Sequence, residues 1–425
     1  MSASADSNAR GNGTGLTSLL LWAATALLAV YGVLFIYSAG YVGAEHEVRQ
    51  YWIKQTVWLS CGAVGAVLMS FWDKRHLSWR LFVWGGYFAS LCLLVAVLFA
   101  GKEIGGARRW FSLGGILVQP AEFARFFTVL ASCLLLSRRK SRRKWLDYLL
   151  LAALVLPVML LIFLEPSAGN ACSLLPVLTV LLGIRLLPSG GWRALLTIVF
   201  LLLLVAVGGI YWCRAHDHQP HLLTSAESPL LRVFRPYHLK RLQNFLSPRG
   251  DWNERQAVMT VADGGLAGKG YLKGTMKQLG YLPRTVANTD FIFAVIAEEG
   301  GFLFGVLPVI LLYAILFSAF LHKAACAESE QEIYLCSAFT AIFALHVTVG
   351  IGMAIRLLPI IGLPLPLLSY GGSFTFVTLL AIGIIDGTGL HSQNQAEDIH
   401  ELTLGIPWLL RLKLRFLNQP EDNTL

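Results

Sequence analysis

The residues best suited to chemistry lie in one stretch, Leu282 to Gly301, LPRTVANTDFIFAVIAEEGG. It begins as a polar, Pro-containing loop and turns at Asp290 into an apolar run long enough to enter a membrane. A carboxylate where water meets lipid can collect protons and also touch a lipid-linked substrate. Asn, Thr and Asp are all good N-terminal residues of helices, so Asp290 has a purely structural alternative as a cap. Glu298 and Glu299 follow about 12 Å further along, at 1.5 Å per residue, where charges in hydrocarbon are costly and demand a reason.

Four other segments carry polar groups of useful type. In GGARRW the glycines let the backbone approach a ligand closely, and Arg108 and Arg109 supply forked donors suited to phosphate oxygens. Their structural alternative is a pair of snorkelling arginines beside an interfacial Trp110. In QPAEFAR, Pro120 suits a first helical turn, and Glu122 and Arg125 fall on one helical face and could neutralise each other. GGLAGKGYLKGT, with Lys269 and Lys273, is not a Walker loop, because the spacing is wrong and no Ser or Thr follows the Lys. Its chemical sense is a flexible cationic cover for an anionic substrate. PLPLLSYGGSF places Ser369, Tyr370, Gly371 and Gly372 at the mouth of an apolar run, where irregular backbone must line a cavity or pack on protein.

The elements that must position these residues are membrane helices. The 425-residue chain is 56% hydrophobic and only 14% charged, with a mean hydropathy of +0.61. Repeated apolar runs predict an all-α integral membrane protein of about ten transmembrane helices. They are expected at about 16–38, 51–71, 79–100, 117–136, 146–164, 169–187, 194–213, 290–320, 333–355 and 371–390. Residues 1–15 read as a disordered cytoplasmic leader, 16–390 as the membrane domain and 391–425 as a cytoplasmic tail whose IPWLLRLKLRFL segment could lie on the inner leaflet. Residues 214–288, between helices 7 and 8, form one large extracytoplasmic loop with an amphipathic basic segment, FRPYHLKRLQNFLSP. His216, His218 and His221 in that loop have few carboxylates nearby and read as a solvated loop.

Orientation follows from SRRKSRRK after helix 4, whose six cations belong in the cytoplasm. Both termini are then cytoplasmic, and segments 101–125, 165–170, 250–299 and 356–374 all face outward. A one-sided set of polar groups implies chemistry at the outer surface rather than a pathway through the bilayer. The net charge of +9 suits membrane orientation better than nucleic-acid binding, and the seven cysteines lie mostly inside apolar runs without metal-ligand spacing.

Together these segments resemble the SEDS family, the RodA and FtsW proteins of bacterial cell-wall synthesis, over about 16–390. GGARRW with QPAE looks like the family's GA-x-RW and QPSE elements, NTDFIFAVIAEEGGF like HTDFIFA-x-x-x-EE-x-GF, and GLPLPLLSYGGSF like GLPLP-x-x-SYGGS. Three departures are plain. The family's QPDLGTA reads EPSAGNA here, with Ser167 in place of an Asp. LPE-x-HTD reads LPRTVANTD, and QPSE-x-x-K reads QPAEFAR.

The resemblance implies a peptidoglycan glycosyltransferase that polymerises lipid II on the outer face of the bacterial cytoplasmic (inner) membrane. GKGYLKGTMKQ looks more like RodA, serving elongation, than like FtsW. The catalytic Asp maps onto Asp290. It would accept a proton from the acceptor sugar's 4-hydroxyl as undecaprenyl pyrophosphate leaves with inversion. Arg108, Arg109 and Lys269, with Mg or Mn as a candidate divalent cation and no organic cofactor, would stabilise the leaving charge. Glu122, Arg125, Glu298, Ser369, Tyr370, Gly371 and Gly372 would complete the substrate site. A class B penicillin-binding protein transpeptidase is the expected partner. The competing expectations are a flippase for the lipid-linked precursor and a non-catalytic scaffold for the transpeptidase, the latter favoured by Ser167.

Overall fold

The computed structural model describes residues 2–41, 50–104, 107–114, 116–138, 144–186, 245, 247, 251–282, 284–327 and 329–388. Helix 7 (194–213), the loop to residue 244 with its three histidines, most of the basic cluster and the tail from 391 lie outside them. The described part is mostly helical. Six of its helices are long and apolar enough to cross a membrane: Gly15–Gly40, Leu77–Ala100, Pro120–Ser137, Trp145–Leu164, Ile292–Cys326 and Glu330–Ala354.

In chain order the first elements are α1 (Ser2–Gly40), α2 (Tyr51–Phe71) and α3 (Leu77–Ala100). The helix α1 runs through residues 2–14, where a disordered leader was expected. Extending an already nucleated helix adds one bond per residue fixed, and no proline interrupts 2–14.

Segment 101–118 departs from the all-α expectation. It forms a three-stranded antiparallel sheet, β1 (Lys102–Ile104), β2 (Ala107–Leu113) and β3 (Ile116–Val118), in the order β1-β2-β3. The run ARRWFSL carries Trp110 and Phe111, aromatic residues that suit a strand, and Gly114 at φ +56° supplies the left-handed turn residue.

Next come α4 (Pro120–Ser137), α5 (Lys144–Leu164), α6 (Ala168–Cys172) and α7 (Leu175–Leu186). Helix 6 was expected to run unbroken from 169. It is interrupted at Ser173–Leu174 because Pro176 has no N–H to give the Cys172 carbonyl.

The remaining elements are α8 (Trp252–Asp263), α9 (Thr275–Gln278), α10 (Arg284–Ala287), α11 (Ile292–Gly300), a π-helical turn (Gly301–Val306), α12 (Leu307–Cys326), α13 (Glu330–Ala354) and α14 (Gly372–Asp386). The break between α11 and α12 was not expected. Its cause is the Gly-rich loop, whose backbone takes over bonds the helix would use. Lys269 and Gly270 N–H donate to the Glu298 and Glu299 carbonyls, and Phe302 and Leu303 N–H donate to those of Gly265 and Leu266, all at 2.9–3.0 Å. Gly301 permits this at φ +63°, since a Cβ there would lie 2.2 Å from the Gly268 nitrogen.

Among the described residues the core is one large apolar cluster, with α2 packed along α14, α3 on α4 and α1 on α12, and a small second cluster of Val349, Met353 and Leu363. The start of α4, the end of α5 and the starts of α11 and α14 meet at one end of this bundle.

Candidate active site

At that end lies a cavity of about 680 Å³, within the usual range for small-molecule sites. Its wall brings together Arg109, Glu122, Ser167, Asp290, Tyr370 and Gly371, which are distant in sequence.

Asp290 sits in the turn between α10 and α11. The N-cap of α11 is Phe291, with no side-chain capping bond, so Asp290 stands before the cap position and does not fill it. Its backbone is held from two sides. Phe291 N–H donates to the Val286 carbonyl at 3.0 Å, and the SYGG turn grips the two residues ahead of Asp290. Tyr370 N–H donates to the Asn288 carbonyl at 2.8 Å, and Ser369 Oγ donates to the Thr289 carbonyl at 2.7 Å while accepting from Leu365 N–H at 2.9 Å. Opposite lies Gly362 at φ +79°. A Cβ there would stand 3.8 Å from Asp290 Oδ2, so glycine both takes the backbone shape and keeps the carboxylate's space open.

The two arginines separate. Neighbouring residues on a strand point to opposite faces, so β2 can present only one of them to the cavity. Arg109 is that one. Its Nε donates to the Glu165 carbonyl at 2.8 Å, and a second guanidinium nitrogen donates to the Pro166 carbonyl. Arg108 is exposed, 3.7 Å from Glu103 on the outer face of the sheet, and does not line the cavity. The structure therefore does not bring both into one clamp: Arg109 reaches the cavity and Arg108 does not.

Glu122 and Arg125 do pair, as helical spacing suggested, but they do so almost wholly buried. Arg125 lies beneath the cavity rather than on its wall, so its assignment as a substrate contact is corrected to a support for Glu122. It also donates to Ser173 Oγ at 2.9 Å and meets His346 Nε2 at 3.1 Å. His346 Nδ1 lies 3.0 Å from the Pro364 carbonyl, which can only accept. The proton therefore sits on Nδ1, leaving Nε2 to accept from Arg125. Ser173 and His346 were missed in the sequence, where one Ser and one His inside apolar runs carry no spacing signal.

Lys269 and Glu298 form a different structure, which does not border the cavity. Lys269 pairs with Asp263 and lies 3.4 Å from Glu298. Glu298 is fully buried and accepts from Met276 N–H at 2.9 Å and Thr275 Oγ1 at 3.1 Å. Glu299 accepts from Leu272 N–H at 3.1 Å and from Ser38 Oγ, and pairs with Lys277. These carboxylates pin the Gly-rich loop to α11 and α1. The expected cationic cover is thus a docked loop in which Lys269 and Lys277 already face carboxylates. The hydrogen bond from Lys269 holds the Asp263 carboxyl below its ordinary range, and burial pulls Lys277 down against the raising effect of Glu299.

Tyr370 lines the cavity and its ring lies 4.9 Å from that of Tyr51. Gly371 lines it too. Gly372 lies behind, where a Cβ would strike the Trp58 indole at 2.1 Å. Ser167 borders the cavity, and Glu165 lies just beyond the end of α5 with neither carboxylate oxygen bonded among the described residues. Burial pushes its pKa up to about 8, with Arg109 opposing and Glu122 adding to the rise. Among the described residues no three His, Cys, Asp or Glu side chains converge to hold a metal ion. Of the carboxylates on the cavity wall, Glu122 is already held by Arg125. The described residues thus form no all-protein cage for the Mg or Mn expected from the sequence, and no chemical step is assigned to such an ion.

Residues 18–394 match the FtsW/RodA/SpoVE family of cell cycle proteins. Among curated relatives, the peptidoglycan glycosyltransferase RodA of Treponema pallidum is 29% identical, with 86% of this chain and 96% of that protein aligned. The peptidoglycan glycosyltransferase MrdB of Escherichia coli is 31% identical over 88% and 93%. The probable peptidoglycan glycosyltransferase FtsW of Mycobacterium tuberculosis is 32% identical over 95% and 74%. Solved structures agree. A chain from a peptidoglycan synthase complex studied for its coordination of polymerization and crosslinking superposes with a TM-score of 0.65 at 30% identity, covering 86% of this chain and 95% of that one. The rod shape determining protein RodA of Thermus thermophilus gives 0.58 at 30% identity, covering 86% and 94%. The chain belongs to the FtsW/RodA/SpoVE family, the SEDS proteins whose motifs form the walls of its cavity.

Proposed function

We propose that this protein is a peptidoglycan glycosyltransferase that polymerises lipid II, with Asp290 as its general base. The observation that carries the reading is Asp290 on the wall of a cavity shared with Arg109, in a chain of this family. Asp290 takes the proton from the 4-hydroxyl of the acceptor sugar. The freed oxygen bonds to C1 of the donor sugar from the face opposite the leaving group. The C1–O bond to undecaprenyl pyrophosphate breaks, and that group departs with the electron pair. Arg109, fixed by two backbone carbonyls, keeps guanidinium donors beside the site for the departing phosphates.

The chain crosses the bacterial cytoplasmic membrane about ten times with both termini inside, and the cavity opens on the outer face. Support comes from the helix ends that meet at the cavity: the start of α4 is among them, and the basic cluster follows the other end of that helix in the sequence. The large loop at 214–288 is then external. A class B penicillin-binding protein transpeptidase is the proposed partner, in keeping with the synthase complex among the similar structures. The RodA-like elongation role is preferred over division on GKGYLKGTMKQ.

Translocation of the precursor finds little support. Glu298 and Glu299, the acidic groups furthest into the apolar run, are sealed by Lys269, Lys277 and backbone N–H groups and offer no polar path. The test is glycan synthesis from lipid II by the purified protein, alone and with the transpeptidase, set beside a lipid II flip assay in vesicles. Glycan strands are expected. Flipping without strands supports the transporter, and neither activity supports a scaffold.

A further inference from the structure

The turn that grips the residues ahead of Asp290 is itself held by a side chain that no motif marks. Gln55 projects from the second turn of α2 and is completely buried. Its Nε2 donates to Thr375 Oγ1 at 2.8 Å and to the Ser369 carbonyl at 3.4 Å, and its Oε1 accepts from Gly371 N–H at 3.3 Å. One amide thus closes on both sides of Tyr370 and reaches the first turn of α14. One helical turn earlier, Tyr51 meets the Tyr370 ring from the same face of α2. The turn passes the constraint on, since Tyr370 N–H and Ser369 Oγ hold the Asn288 and Thr289 carbonyls.

We propose that Gln55 is a positioning residue, which sets the place of the Asp290 carboxylate through the Ser369–Gly371 turn without touching substrate. A buried amide suits this task because it donates and accepts at once, and the partners it holds have opposite polarity. An apolar residue of the same size fills the space but leaves the Gly371 N–H and Ser369 carbonyl without these bonds, so the turn has reason to shift. The inference deepens the glycosyltransferase reading and rests on it for its kinetic part.

The test compares Gln55→Leu and Gln55→Glu with the wild-type protein, full-length and detergent-purified, by glycan synthesis from lipid II and by hydrogen exchange. Misplacing a catalytic group by about 1 Å costs on the order of 10²-fold, so kcat should fall by about that factor in Gln55→Leu while KM stays within about twofold. Peptides spanning 288–290 and 369–371 should exchange faster, with the middle of α14 still protected. Gln55→Glu keeps the acceptor for Gly371 N–H and can accept from the Thr375 hydroxyl, so it should recover part of the rate. It also provides the readout if Gln55→Leu fails to fold. Wild-type kcat in Gln55→Leu, or a loss confined to KM with exchange unchanged at 288–290, overturns the proposal. If the wild-type protein makes no glycan, the functional reading fails. The exchange measurement still decides on positioning, since unchanged protection at 288–290 in both variants refutes it.

Discussion

Asp290 and Glu299 stand at opposite ends of α11 and look alike in the sequence, each a carboxylate bordering an apolar run. Their surroundings differ completely. Glu299 is met by Lys277, Ser38 and two backbone N–H groups, in a space with no solvent. Asp290 faces a cavity of about 680 Å³, across from a glycine whose missing side chain leaves room. A carboxylate whose bonding capacity is filled by the protein stabilises an arrangement. One on the wall of a cavity that also carries a guanidinium can take part in a reaction. Acidity marks both, and only the surroundings tell them apart.

That contrast can be broken first on its structural side. Removing one member of a buried ion pair leaves the other charge stranded, typically at a cost of roughly 3–5 kcal/mol. Glu299→Ala, which strands Lys277, should lower the melting temperature in detergent sharply and open the 264–278 loop to protease. A variant that melts like wild type but loses activity would place Glu299 with Asp290 instead.

Arg109 sharpens the functional side. Arg109→Ala should raise the lipid II concentration needed for half-maximal polymerisation, with an effect of about 1.5–3 kcal/mol for a hydrogen bond to a charged group. Arg108→Ala, on the exposed face of β2, should change that concentration little. Equal effects from the two would return both to the shared clamp that the strand geometry separates.

A pH-dependent effect concerns Glu165. Its carboxyl is raised from 4.5 to about 8, so between those values the folded chain holds a proton that the unfolded chain has released. Stability from this group is therefore full below about pH 4.5 and is lost as pH rises through 8. The melting temperature should decline across that window, and Glu165→Gln should flatten the decline. An unchanged slope in the variant would show that Glu165 is not buried as a neutral acid.

Much of this was legible beforehand. Apolar periodicity placed α2 through α5 and α13 within a few residues, because length and hydropathy dictate a span without reference to neighbours. The gathering of GGARRW, QPAE, NTD and SYGG at one end followed from counting crossings. What the chain hid was tertiary. The strand parity of Arg108 and Arg109 needs the sheet, which no run of helices announces. The break after Glu299 depends on the Gly-rich loop docking against it, and nothing local signals that. His346 and Ser173 acquire meaning only through Arg125, which is distant from both in sequence.

The most direct test of the central claim is glycan polymerisation by Asp290→Asn. The substitution keeps size, and Phe291, not Asp290, holds the cap position. If Asp290 is the base, the variant should fold, melt and bind its partner as wild type does, while turnover falls by the roughly 10²–10⁴-fold expected for loss of general-base catalysis. Glycan synthesis near the wild-type rate by well-folded Asp290→Asn would contradict the account and leave the cavity without its catalyst.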